Sequence, residues 1–146
     1  MTARVSLILQ RKGAAVATLG PTATLGEAAA TMTEHGIGSL VVSGDGRTVE
    51  GVIAERDLIQ AIARHGPTAL QLRIGEVAEA DCTICGLDTH VDELVVTMTE
   101  QRVRHIPVVD DGRLVGIVSI GDVVKWRMDE LAMEARHLEA YVSGAY

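Results

Sequence analysis

The sequence predicts an α+β protein: two tandem β-α-β-β-α units in a pseudo-twofold arrangement, followed by a long C-terminal helix. Three observations lead there. The first is an internal repeat. Met32-Thr33-Glu34 recurs as Met98-Thr99-Glu100, an offset of 66 residues. At that offset Glu27 pairs with Glu93, Val42 with Val108, and Asp45-Gly46-Arg47 with Asp111-Gly112-Arg113. One deleted residue later, Gly51 pairs with Gly116 and Asp57 with Asp122. Two copies are too few for a solenoid and suggest a pseudo-symmetric pair. The second is that each copy holds two β-rich runs joined at an Asp-Gly turn, which reads as a hairpin. The third is composition. At 146 residues, 47% apolar and 23% charged, the chain has room for one ordinary domain with a real core.

Taken in order, residues 1–13 form an arm or short helix. Val5, Leu7 and Ile8 are placed to dock on the body, and Arg11-Lys12-Gly13 end the segment. The first repeat covers 14–67. Ala14 to Leu19 is β-prone and closes at Gly20-Pro21. Thr24 and Glu27 have the spacing of a capping box. The helix they open runs to about His35 and stops at Gly36, burying Leu25, Ala28, Ala29 and Met32. Ser39 to Val42, a turn at Gly44-Asp45-Gly46, and Thr48 to Ala54 make the hairpin. A helix from about Glu55 carries Leu58, Ile59 and Ile62 and ends at Gly66-Pro67.

Residues 68–80 are a linker anchored by Ile74 and Val77. The second repeat covers 81–126. It begins with a strand near Thr83, and Thr89 or His90 caps a helix through about Arg102. The hairpin turns at Asp110-Asp111-Gly112, and its second run, Leu114 to Val118, stops at Ser119-Ile120-Gly121-Asp122. Residues 127–146 extend the last helix. Val124, Met128, Leu131, Ala135, Leu138 and Val142 follow a heptad seam. That seam either packs along the chain's own body or pairs with a second subunit.

Gly51-Val-Ile-Ala-Glu-Arg-Asp57 in the first half thus answers Gly116-Ile-Val-Ser-Ile-Gly-Asp122 in the second. This duplicated phrase resembles the hallmark of the cystathionine-β-synthase (CBS) domain pair, or Bateman module. In each of its repeats a Gly is followed by two apolar residues, Ser or Thr, two variable residues and Asp. Gly116, Ser119 and Asp122 match fully, whereas repeat one has Ala54 at the hydroxyl position. The resemblance runs from about Ala14 to Val142. It departs at Ala78-Glu79, where similar proteins often have Met-Thr.

What the resemblance implies is a regulatory module that binds an adenosine compound: AMP first, then ATP, ADP or NAD. A homodimer is expected, with the helices buried against a second copy. No effector domain is present in these residues, so the output would lie in another protein, which the sequence does not identify. The resemblance implies that the Asp122 carboxylate, an acceptor only, takes both ribose hydroxyls. Ser119 and the helix N-terminus would hold phosphate. Gly121, with Ile120, Ile106, Ile84 and Ile37, would line the cleft, adenine lying in an apolar slot. Taken without the resemblance, Ser and Asp at such a spot are ordinary helix caps.

Arg104 and His105 precede the Ile106-Pro107 strand. They are either a solvated edge or contacts to nucleotide phosphates. Asp57 would keep the ribose role in repeat one, and Arg56 is a surface residue or a phosphate contact. Thr18 is a polar ligand contact or an ordinary strand threonine. Cys82 and Cys85 form a CxxC that enters a predicted strand, where such spacing points the thiols to opposite faces and disfavours redox or zinc use. Trp126 is read as a helix-packing residue.

Other function classes are disfavoured. Aromatic residues are 2% of the chain and Phe is absent, so a base-stacking platform is not available. A net charge of −7 opposes a phosphate-backbone partner, so no nucleic-acid ligand is expected. No apolar run reaches membrane length, and Val5 to Leu9 is too short for a signal-peptide core, which suggests a cytoplasmic protein with no membrane partner. There is no Walker loop, no metal-carboxylate pair and no Ser-His-Asp set to assemble, so an enzyme is not expected. The rival readings are a ligand-free dimerisation module and, more remotely, a nucleotide hydrolase.

Overall fold

The computed structural model describes residues 3–144. Residues 1–2 of the predicted arm and 145–146 of the predicted extension lie outside them. The order is α1 (Val5–Lys12), β1 (Thr18–Leu19), α2 (Leu25–His35), β2 (Ser39–Val42), β3 (Gly51–Ala54), α3 (Glu55–His65), a 3-10 turn (Gly66–Gln71), α4 (Ile74–Val77), α5 (Val91–Gln101), β4 (His105–Asp110), β5 (Arg113–Ser119) and α6 (Ile120–Ser143). The fold is α+β with two separate cores, one per repeat.

In repeat one, the Thr24 hydroxyl accepts the Glu27 N–H and Glu27 accepts the Thr24 N–H, so the predicted capping box opens α2. Gly36 ends it in the left-handed region. Leu25, Ala28 and Met32 are buried, while Ala29 is half-buried. On α3 the buried residues are Leu58 and Ala61. Ile59 and Ile62 are 67% and 46% exposed, so the apolar residues predicted there belong to two different faces.

β1 pairs in parallel with β2, and β2 antiparallel with β3, as a three-stranded sheet. Repeat two has only β4 and β5 as strands. The strand expected near Thr83 reduces to a single parallel bridge, Cys85 to Val108. The cause lies in the sequence. In repeat one the Val41 N–H donates to the Ala17 carbonyl at 3.2 Å. The residue equivalent to Val41 is Pro107, which has no N–H, so the same bond cannot form to Thr83.

The arm docks with Val5, Ile8 and Leu9 buried, whereas Leu7 is 42% exposed. It packs into the core of repeat two, not repeat one. Val5 N–H donates to the Thr89 carbonyl, and Val91 N–H to the Ala3 carbonyl, both at 2.8 Å. The linker does the same for repeat one. Ile74 N–H donates to the Ala23 carbonyl at 2.8 Å, and Leu25 N–H to the Leu72 carbonyl at 2.9 Å. Ser6 N–H to Leu87 matches Gly75 N–H to Pro21. Each repeat is thus completed by the segment that precedes the other.

This exchange explains the glycine of the duplicated phrase. A Cβ on Gly51 would stand 2.7 Å from the Glu79 carbonyl oxygen of the linker. A Cβ on Gly116 would stand 2.7 Å from a Leu9 methyl of α1. The helix α6 spans 24 residues, about 36 Å. Only Val123 is fully buried along it. Val124, Met128, Leu131, Leu138 and Val142 are 50% to 85% exposed, so the seam does not pack along the chain's own body.

Candidate functional site at the head of α6

Strand β5 delivers Ser119 to the N-cap of α6 in extended conformation. The Asp122 N–H donates to the Ser119 hydroxyl at 3.2 Å, and the Ser119 N–H donates to Asp122 Oδ2 at 2.8 Å. The Ile120 N–H donates to the Arg104 carbonyl at 2.8 Å, which fixes Arg104 beside the same helix end. A cleft of about 540 Å³ opens there, lined by Arg104, Ile120, Gly121, Val124, Lys125, Met128 and Asp129. Ser119 and Asp122 lie beside this cleft, not in its lining.

Asp122 faces α1. Lys12 Nζ lies 2.6 Å from Asp122 Oδ2 and donates to the Ile117 carbonyl at 2.9 Å. Burial pushes the Asp122 carboxyl up, but the Lys12 ammonium and the Ser119 N–H more than offset it, and the net shift is downward. The group is therefore an ionised acceptor at neutral pH. Lys12 was not among the predicted site residues. Its contact joins residues 110 positions apart, beyond any local pattern.

His105 is half-buried, and burial is the main cause of its lowered pKa. Glu55 and Asp122 pull the value up, while Lys12 and Arg104 push it down. A histidine held below its ordinary value supplies no positive charge at neutral pH, so of the Arg104-His105 pair only Arg104 is cationic there. The pull of Glu55 on His105 also shows that the heads of α3 and α6 are electrostatic neighbours.

The other predicted residues are dispersed. Ile106 is fully buried in the core of repeat two and does not face the cleft, because the first apolar position of β4 points inward. Ile84 is 52% exposed. Ile37 is half-buried against the core of repeat one. Thr18 sits half-buried in β1. At the head of α3, Asp57 accepts the Ala54 N–H at 2.8 Å, but Ala54 has no hydroxyl to return the bond. Arg56 is exposed there. The Glu55 N–H donates to the Gly38 carbonyl at 3.0 Å, the counterpart of the Ile120–Arg104 bond. The Glu55 carboxylate lies 3.3 Å from where a Gly38 side chain would start, so repeat one presents an acid where repeat two presents Arg104.

Burial raises both thiols, Cys85 to about 11, which opposes thiolate chemistry at the CxxC. Trp126 is half-buried, its indole N–H donating to Glu130 at 2.8 Å and its ring under the Arg11 guanidinium at 4.5 Å. Among the described residues no helix is long and apolar enough to cross a membrane.

Comparison with known proteins identifies the fold and the family. A mitochondrial CBS domain-containing protein of Arabidopsis thaliana is 35% identical over 84% of this chain. The chain spans 62% of that relative's length, and 57% of a second curated relative from Methanopyrus kandleri. The crystal structure of a CBS-domain protein from Agrobacterium tumefaciens is 44% identical, covers 85% of this chain and 98% of its own, and superposes with a TM-score of 0.80. A CBS domain pair crystallised with 5′-methylthioadenosine and S-adenosyl-L-methionine is 25% identical, with 89% and 99% coverage and a TM-score of 0.78. The family model for the CBS domain matches residues 13–64 and again 74–129, and the chain therefore belongs to the CBS-domain family, with two repeats.

Proposed function

We propose that the protein is a non-catalytic regulatory module that binds an adenosyl ligand, AMP or a related nucleotide such as ATP, ADP or NAD, at the head of α6. One observation carries the reading: an ionised Asp122 and the Ser119 hydroxyl stand at a helix N-terminus beside a cleft with a guanidinium at its edge. The carboxylate suits a ribose diol, and the helix end with Arg104 suits phosphate. The related domain pair bound to adenosyl compounds supports the ligand class. Occupancy would alter the fit of the two repeats, and through it the surface shown to a partner protein. A cytoplasmic location belongs to this reading.

Repeat two is the tighter site by a count of groups. Repeat one lacks the hydroxyl, and Glu55 opposes an anion there. A hydrogen bond to a charged group contributes about 1.5–3 kcal/mol, so Asp122→Ala should weaken AMP roughly ten- to hundredfold in calorimetry. Asp57→Ala should spare the tight phase. The reverse outcome would move the site to α3, and no binding by the parent chain would leave the ligand-free dimerisation reading.

The same module is proposed to pair as a homodimer. Ile59 and Ile62 on α3, Val95 and Val96 on α5, and Val124, Met128 and Leu131 on α6 are all more than a third exposed. Apolar residues so placed mark an interaction surface. Met128→Glu with Leu131→Glu should shift sedimentation toward monomer if α6 carries the interface. An unchanged dimer would assign it to α3 and α5.

A further inference from the structure

Lys12 is the last residue of α1, and it uses the carboxylate that the ribose would need. Asp122 Oδ2 accepts two hydrogen bonds already, from Ser119 N–H at 2.8 Å and Lys12 Nζ at 2.6 Å. A carboxylate oxygen has two lone pairs, so Oδ2 is fully occupied. A ribose diol spanning both carboxylate oxygens must therefore displace one of these donors from Oδ2, and the Lys12 side chain can move where the Ser119 N–H is fixed in the helix cap.

The displaced ammonium keeps one partner, the neutral Ile117 carbonyl at 2.9 Å. The side chains of Lys12 and Asp122 are 31% and 22% exposed. Arg11, the preceding residue, anchors this end of α1 to α6 through Asp129 at 3.0 Å and through the Trp126 ring. A part-buried cation deprived of its carboxylate needs another anion. A phosphate at the 5′ position of the ligand supplies one. A neutral nucleoside does not, and a sulfonium adds a third cation beside Lys12 and Arg104.

We propose that Lys12 is a specificity-determining residue of this cleft, selecting adenosyl ligands with an anionic 5′ tail over neutral or sulfonium-bearing ones. The inference rests on the adenosyl reading above and sharpens it: AMP and its higher phosphates are favoured over S-adenosylmethionine and adenosine.

The test is calorimetry of AMP, adenosine and S-adenosylmethionine against the full chain and two variants, Lys12→Met and Lys12→Arg. The parent chain should bind AMP most tightly. Lys12→Met should tighten adenosine, because the internal competitor is gone, and leave AMP no tighter. The AMP-to-adenosine preference should fall at least about tenfold, one charge-assisted contact in size. Lys12→Arg should keep the preference. Far-UV dichroism and Trp126 emission report that α1 remains docked in each variant. A preference unchanged in a docked Lys12→Met chain would overturn the proposal, as would equal weakening of both ligands, which would make Lys12 a tie for α1 only. If the parent chain binds none of the three, the adenosyl reading itself falls, and the selectivity with it.

Discussion

Repeat one and repeat two share two hydrogen bonds at the heads of their last helices, yet they differ in what they offer an anion. Glu55 N–H to Gly38 and Ile120 N–H to Arg104 are one bond drawn twice. Asp57 to Ala54 N–H and Asp122 to Ser119 N–H are another. Around that shared frame, repeat one sets Glu55, Ala54 and Gly38, and repeat two sets Ile120, Ser119 and Arg104. Backbone geometry is thus inherited by both copies, and chemistry is decided by three side chains. The exchanged segments widen the difference. The linker helix α4 ends at Val77, whereas α1 continues to Lys12 and reaches Asp122. Among the described residues, the carboxylate at the head of α6, unlike its counterpart Asp57 at the head of α3, meets a cation from outside its repeat.

The exchange can be broken at its two glycines, and there the largest effect is expected. Gly51→Ala places a methyl against a backbone carbonyl of the linker, which has no rotamer to change. It should destabilise by about 2–3 kcal/mol, the upper part of the range for overpacking. Gly116→Ala meets the tip of the Leu9 side chain, which can turn away, so about 1 kcal/mol is expected. Urea unfolding measures both. Leu9→Ala should cost less in the Gly116→Ala background than in the parent, because it removes the clashing methyls. Equal costs at Gly51 and Gly116 would mean that the linker yields as readily as a side chain, and that the two docked segments are equivalent.

The features legible in the sequence were local or repeated. The capping box at Thr24-Glu27, the Asp-Gly hairpin turns and the duplicated phrase ending at Asp57 and Asp122 each depend on residues close in the chain. The strand expected near Thr83 was a misreading, although Pro107 at the place of Val41 already removes one donor. The segment exchange left a faint signal: Arg4-Val5 and Arg73-Ile74 are equivalent pairs, each opening a short helix. Other features had no local signature. The split of α3 into Leu58 and Ala61 inside and Ile59 and Ile62 outside depends on where α2 and the 3-10 turn pack. The position of Ile106 in the core follows from the register of β4. Lys12 reads as a helix end until the fold carries it to Asp122.

The smallest effect separates His105 from its counterpart Ser39. Ser39 is buried and carries no titrating group, so only repeat two has a proton-sensitive residue at the start of this strand. The folded pKa of His105 lies below the ordinary 6.5, chiefly through burial, with Glu55 and Asp122 opposing and Lys12 and Arg104 assisting. Between the folded and unfolded values the unfolded chain binds more protons than the folded one. The stabilisation tied to neutral His105 is therefore complete above pH 6.5 and is lost as pH falls through the folded value. Denaturation midpoints of the parent chain should decline over that window. Those of His105→Gln, which keeps polarity without a titrating ring, should decline less. The Asp122 contribution is complete above its ordinary 3.8, so its window opens at lower pH than that of His105. A decline in His105→Gln as steep as in the parent would assign it to another group, and would leave the two repeats alike in their response to protons.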